Sequence, residues 1–179
     1  MERPLQRLIA MTGLPGTGKS SIAEAVGREL GSPVFAKDWL EAALRRSGLA
    51  QALETAHLLG SAGYELLSTL AERQLRLGQS AILDSVASTE SIRVIWRMLA
   101  TTYGAGWYVV ECTCADVALH RERLLSRERG IPDWPELEWS NVERVQGSYA
   151  PWQEERLILD ASDPLTANID QALRYVMGA

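Results

Sequence analysis

Residues 13–20 read GLPGTGKS, and their types and spacing suit the capture of a polyphosphate. Gly13, Gly18, Lys19 and Ser20 fall on the four specified places of the P-loop pattern G-x-x-x-x-G-K-[ST]. A triphosphate needs backbone N–H groups aimed at one anionic centre, a helix N-terminus behind them, a lysine for the outer phosphates and a hydroxyl for Mg²⁺. Gly13, Gly16 and Gly18 let the backbone approach such a ligand closely, and Pro15, Thr17 and Ser21 complete the binding loop. Ser20 is the direct Mg²⁺ ligand on this reading. The bland alternative is a glycine-rich strand-to-helix turn that binds nothing. It leaves the joint presence of Lys19, Ser20 and suitable flanks unexplained.

A loop of this kind says only that phosphate is held, so the use made of that phosphate must be read from the remaining polar residues. Asp38 comes just after the apolar stretch PVFA. Transfer of a phosphoryl group to a hydroxyl calls for a carboxylate within reach of the acceptor, opposite the γ-phosphate, and Asp38 can take that place as general base. It can equally serve as N-cap of a helix starting at Trp39. Asp84 ends the run SAILD, where a carboxylate can hold Mg²⁺ through water or orient the acceptor, or else merely cap Ser85 to Ser88. Arg123 and Arg127, four apart in a charged helix, share a face and could cover the transferred phosphate with guanidinium forks. With Arg121 and Arg129 they could instead form a solvated face paired with Glu122 and Glu128. Arg93 and Arg97 have the same spacing and suit either an anionic acceptor or surface ion pairs. Lys37 is a substrate contact or a solvated strand end. Trp39, Trp134 and Trp139 could build an aromatic acceptor pocket, whereas Trp96, Trp107 and Trp152 read as core.

The elements that must position these residues emerge from hydrophobic periodicity. Strands are expected at 5–12, 33–37, 80–84, 107–113 and 156–160. Helices are expected at 19–30, from Trp39, twice within 49–77 because Gly60 and Gly63 interrupt the pattern, and at 89–103, 116–129, 140–149 and 165–177. The two prolines of GIPDWPELEW make a loop. Strands alternating with helices imply a parallel sheet with helices on both faces, with ligands at the carboxyl ends of the strands. Gly13 to Ser20, Asp38, Asp84 and Cys114 therefore share one edge.

Length and composition narrow the class. A chain of 179 residues, 46% hydrophobic and 23% charged, suits a single domain with a substantial core. The net charge of −5 gives no help to non-specific nucleic-acid binding and favours a small substrate. No apolar run approaches the ~20 residues of a membrane span, and the N-terminal apolar stretch leads into the phosphate loop instead of a cleavage site, so a cytoplasmic protein is expected. Cys112 and Cys114 lie on one strand face, a poor geometry for bridging or for zinc.

GLPGTGKSS, then KD after the second strand, ILDS on the third, RERLLSRERG before a loop and LILDASDPL near the end together resemble the small P-loop kinases. The resemblance is closest to the branch of polynucleotide 5′-hydroxyl kinases, zeta-type toxins and chloramphenicol phosphotransferases, with an AAA-type P-loop ATP-binding domain. It implies an α/β three-layer fold, with a five-stranded parallel sheet of order 2-3-1-4-5, ATP as donor and Mg²⁺ as cofactor. It also implies a single domain over residues 1–179 with a lid at about 123–139, an adenine-contacting loop at Ala161 to Leu165, and Asp38 as base. Polynucleotide kinases carry an arginine shortly after that aspartate. Here the sequence is Asp38-Trp39-Leu40-Glu41, which disfavours a nucleic-acid 5′ end and leaves a small-molecule hydroxyl as the expected acceptor.

No N-K-x-D guanine reader is present, and the third strand ends Asp84-Ser85 instead of in two acidic residues. The leading expectation is an ATP-dependent phosphotransferase acting on a hydroxyl. The alternatives are a sugar-nucleotide kinase of the zeta-toxin kind and a regulatory ATPase that works as a nucleotide-dependent switch.

Overall fold

The computed structural model describes residues 6–49 and 56–178. Five parallel strands, β1 (Arg7–Thr12), β2 (Val34–Ala36), β3 (Ala81–Asp84), β4 (Gly106–Thr113) and β5 (Leu157–Asp160), form one sheet in the order β2-β3-β1-β4-β5. This is the 2-3-1-4-5 order that the kinase resemblance implies. The central strand β1 carries a continuous apolar run because both of its faces are covered. Leu8 and Ala10 point into a layer with α3 (Ala56–Arg76) and α4 (Glu90–Thr102), whereas Ile9 and Met11 point into a layer with α1 (Lys19–Leu30) and α7 (Leu165–Met177). Leu8, Ile9, Met11, Ile82 and Leu83 are fully buried, each contributing about 1.5–3 kcal/mol of hydrophobic stabilisation. Register places Met11 and Ala36 on either side of Asp84, so the ends of β1, β2 and β3 open onto one place.

Three elements differ from expectation. Helix α2 (Lys37–Arg46) starts at Lys37 and not at Trp39, with Ala36 as its N-cap. An i, i+4 pair between Lys37 and Glu41 becomes available only if Lys37 is helical, and that pair forms. Second, α3 runs without a break through Gly60 and Gly63. Those glycines answer a packing need: a Cβ on Gly63 would stand 2.9 Å from Cγ and Oε1 of Glu41. The part of the expected helical pair that covers 50–55 lies outside the described residues. Third, α5 (Val117–Ser126) stops at Arg127, which has an extended backbone with ψ 142°, so Arg123 and Arg127 do not share one helical face. Residues 127–138 run irregularly to α6 (Trp139–Gly147). No helix among the described residues is long and apolar enough to cross a membrane.

Candidate active site

Gly13 follows β1 at φ 134°, and a side chain there would drive into the carbonyl oxygen of Cys112 on β4; only glycine fits. The loop then turns on Thr17, whose hydroxyl and N–H both bond the Leu14 carbonyl, at 2.8 and 3.4 Å. Gly18 stands at the N-cap of α1 with φ 79°, and no side chain caps this helix. By contrast, Asp116 caps α5 through the N–H groups of Ala118 (2.9 Å) and Leu119 (3.0 Å). The first turn of α1 thus keeps free donors where the helix dipole also favours an anion.

This loop forms one wall of a cavity of about 630 Å³. Pro15, Gly16, Gly18, Lys19, Ser20 and Ser21 line it, whereas Gly13 and Thr17 stand behind, fixing the loop's shape. His120 supports the loop from below: its Nε2 lies 2.7 Å from the Pro15 carbonyl. A carbonyl only accepts, so Nε2 carries the proton. The same imidazole packs edge-on against Trp139 at 5.1 Å, which ties the phosphate loop to the start of α6.

Asp84 sits at the end of β3, almost fully buried, with Lys19 and Ser20 beside it. Burial pushes its carboxyl above the usual carboxylate range; the Lys19 charge and a hydrogen bond from Ser20 pull the other way without cancelling it. Its Oδ1 has no hydrogen-bond partner, so the expected cap over Ser85 to Ser88 is not made through that atom. A buried carboxylate oxygen without a partner, next to the loop hydroxyl, is a donor set suited to Mg²⁺, which commonly takes one or two carboxylates and completes its shell with phosphate and water.

Asp38 lies within the first turn of α2, makes no cap, and is ion-paired with Arg129. Arg129 also bonds Glu136 (Nε to Oε2, 3.2 Å) and the Pro135 carbonyl (3.1 Å), so it is not paired with Glu122 or Glu128 as a solvated face would require. Further contacts bring the 127–138 segment onto α2: Arg46 donates to the Pro132 carbonyl at 3.0 Å, and Arg45 lies over the Trp134 ring at 5.1 Å. Arg127 lines the cavity with Nε and Nη2 buried and unbonded; Glu136 stands 3.8 Å from Nε. Burial, and then the charge of Arg129, lower its pKa, so an anion placed there would be welcomed. Arg123 also lines the cavity but spends a donor on the Ala161 carbonyl.

Some sequence candidates leave the site. Arg93 is fully buried and binds the carbonyls of Ala87 (2.8 Å), Ala150 (2.8 Å) and Pro151 (3.1 Å), with its guanidinium 3.8 Å from the Trp152 ring centre. It fastens the chain after α6 to α4 and to the segment before that helix, and does not line the cavity. Arg97 pairs with Glu154 and Glu90. Cys114 stays outside the cavity wall, its thiol near the Asp116 carbonyl. Burial pushes the Cys112 thiol up to about 12, which makes it inert. Of the three tryptophans expected to form an acceptor pocket, Trp39 lines the cavity and is 46% exposed. Trp134 and Trp139 stand off its wall, the first against Arg45 and the second bonded to Glu143 at 2.8 Å. Trp96 and Trp152 are core as expected.

Sequence reasoning assigned no role to Glu41, Tyr64 or His120, and placed Arg129 only on a solvated face, whereas all but His120 line the cavity. Lys37 is not a solvated strand end: it pairs with the buried Glu41 and lies 4.7 Å from the Tyr64 ring centre. The i, i+4 spacing of Lys37 and Glu41 was the available signal. Tyr64 receives the Ala87 N–H at 3.1 Å and faces the same cavity.

A family model described as an AAA domain matches residues 8–151. The chain belongs to the AAA domain family. It is 31% identical over 154 residues to a UPF0200 protein of Aeropyrum pernix, across 82% of this chain and 79% of that protein. Its fold is shared with a putative kinase from Chloroflexus aurantiacus (TM-score 0.73, 22% identity, 99% of this chain and 97% of that one). It is also shared with an APS kinase from Mycobacterium tuberculosis solved with AMPPNP and APS (TM-score 0.68, 20% identity, 97% and 99%). This AAA domain thus has a P-loop nucleotide-binding fold of the kind that kinases use.

Proposed function

We propose that the protein is an ATP-dependent kinase that moves the γ-phosphate to a hydroxyl of a small molecule. The observation that carries this reading is that Asp38 and Arg127, with its unbonded donors, line the same cavity as the phosphate loop. A site meant only to hydrolyse ATP has no need of the Asp38 carboxylate and the Tyr64 and Trp39 rings in the lining of the same cavity. The kinase folds resembled by this chain support the same reading.

Lys19 and the free N–H groups of α1 bind the β- and γ-phosphates, and Arg127, assisted by Arg123, covers the charge that spreads over the transferred group. Ser20 and Asp84 would hold Mg²⁺, which neutralises the phosphate oxygens when bound. Asp38 accepts the proton of the attacking hydroxyl. Before it can do so it must leave Arg129, so the 127–138 segment acts as a lid whose contacts with α2 rearrange as the acceptor enters.

Asp38→Asn tests the assignment. MgATP affinity should stay within about twofold, while transfer to the true acceptor falls by roughly 10²–10⁴, the usual worth of a positioned base. Transfer at the wild-type rate would remove Asp38 from that role.

A further inference from the structure

The bond that His120 makes to the phosphate loop decides which way one of the loop's peptide units faces. The Thr17 N–H bonds the Leu14 carbonyl, so Leu14 to Thr17 form a β-turn with proline at its second position and glycine at its third. Gly16 has φ 89°, as the type II form of such a turn requires. The type I form needs φ of about −90° at that residue. The two forms differ by a flip of the central peptide, Pro15–Gly16, and both keep the Thr17 bond. Glycine takes either sign of φ, and proline at the second position suits both types, so the local sequence permits the flip.

The direction of that peptide matters to a bound phosphate. In a trans peptide the C=O and the following N–H lie in one plane and point opposite ways, and no described peptide bond is cis. Pro15 and Gly16 line the cavity and His120 does not, so the loop lies between the imidazole and the cavity. With the Pro15 carbonyl turned to Nε2 of His120 at 2.7 Å, the Gly16 N–H is turned toward the cavity. No protein group among the described residues accepts from it. The flipped form would present a carbonyl oxygen to the phosphates and leave the Nε2–H unpaired in a side chain that is 4% exposed.

The imidazole has little freedom to follow such a flip. The His120 N–H closes the first turn of α5 on the Asp116 carbonyl at 2.9 Å. Its ring meets Trp139 edge-on, and the Arg121 guanidinium covers that tryptophan at 5.1 Å. On the loop side the fit is close: a Cβ on Gly16 would stand 3.2 Å from Cδ2 and Nε2 of His120. Glycine at 16 and histidine at 120 are thus fitted to each other.

We propose that His120 is a positioning residue for nucleotide binding: its Nε2–H holds the Leu14–Thr17 turn in the form that aims the Gly16 N–H at a phosphate of the bound nucleotide. This role requires a nucleotide in the loop and holds whether the γ-phosphate then goes to a hydroxyl or to water.

NMR and calorimetry test it together. The chain has two histidines, His57 and His120, which makes their ring nitrogens simple to assign. At mildly alkaline pH, nucleotide-free wild type should show His120 as the Nε2–H tautomer. Addition of MgAMPPNP should move the Gly16 amide proton downfield, as donation to a charged oxygen does. His120→Leu removes the donor and should weaken MgAMPPNP binding about tenfold, the low end for one hydrogen bond to a charged group. It should also shrink the Gly16 shift while the Lys19 and Ser20 amides keep theirs. His120→Gln brings an amide N–H to the reach of Nε2, and should bind within about threefold of wild type with the Gly16 shift restored. A merely structural loss would disturb every loop amide and would not be repaired by glutamine, which lacks the ring. Four results overturn the proposal: the Nδ1–H tautomer in wild type, a Gly16 amide that ignores MgAMPPNP, His120→Leu binding as tightly as wild type, or His120→Gln binding as weakly as His120→Leu. The first two are read on wild type, so they decide the matter even where His120→Leu fails to fold.

Discussion

Substituting asparagine for Asp84 should make the nucleotide-free protein more stable while disabling it. Asp84 is held at the end of β3 with a buried Oδ1 that bonds nothing, and burial outweighs Lys19 and Ser20 in setting its pKa. The folded state therefore binds the Asp84 proton more tightly than the unfolded state. For a carboxyl raised in this way, stability is greatest below the ordinary value of 3.8 and declines as pH rises from there through the elevated folded value. Glu41, raised from 4.5, adds a decline of the same sign. At neutral pH the Asp84 carboxylate is thus a net cost to folding. Asparagine keeps the shape and removes the charge, which should return about 1 kcal/mol, because an unsatisfied charged group costs more to bury than the unsatisfied neutral amide that replaces it. In a chain of 179 residues that raises Tm by roughly 2–4 °C. Differential scanning fluorimetry from pH 4 to 8 provides the assay, with and without MgAMPPNP. The variant should melt higher than wild type without ligand, with a shallower pH slope, and should lose most of the Mg²⁺-dependent stabilisation by AMPPNP. A lower Tm at pH 7 without ligand, or full Mg²⁺-dependent stabilisation, would refute the reasoning.

Arg93→Met should lower Tm by about 6–12 °C, the equivalent of roughly 3 kcal/mol, because three backbone carbonyls lose their common donor; AMPPNP affinity of the folded fraction should be unchanged. A thermal melt checks the first half and calorimetric titration of AMPPNP the second. Gly13→Ala should abolish detectable AMPPNP binding in the same titration, since the new methyl and the Cys112 carbonyl claim the same space and the phosphate loop must shift.

What was legible in the sequence was what a local pattern can encode. The phosphate loop is a contiguous motif, and Asp84 ends an apolar strand, so both reach the cavity where expected. The strand order came from the family resemblance. Tertiary demands overrode local signals elsewhere. Asp38 is a good cap residue, yet α2 begins before it, because Lys37 and Glu41 gain a partner when both are helical. Gly60 and Gly63 look like a helix break until Glu41 is set against them. The bond from Arg129 to Asp38 spans 91 residues and has no signature in spacing. Arg93 could have been found: it lies three residues before Trp96 and seven before Ala100, on the buried stripe of α4.

On the proposed reading, the cavity delivers phosphate to a hydroxyl and not to water. The most direct measurement tracks γ-labelled ATP with the purified protein, Mg²⁺ and a panel of hydroxyl-bearing small molecules, neutral and anionic, separating labelled acceptor from free phosphate. Label on an acceptor in wild type, lost in both Asp38→Asn and Asp84→Asn, is the predicted result. Label released only as free phosphate at the same rate with and without every acceptor would contradict it.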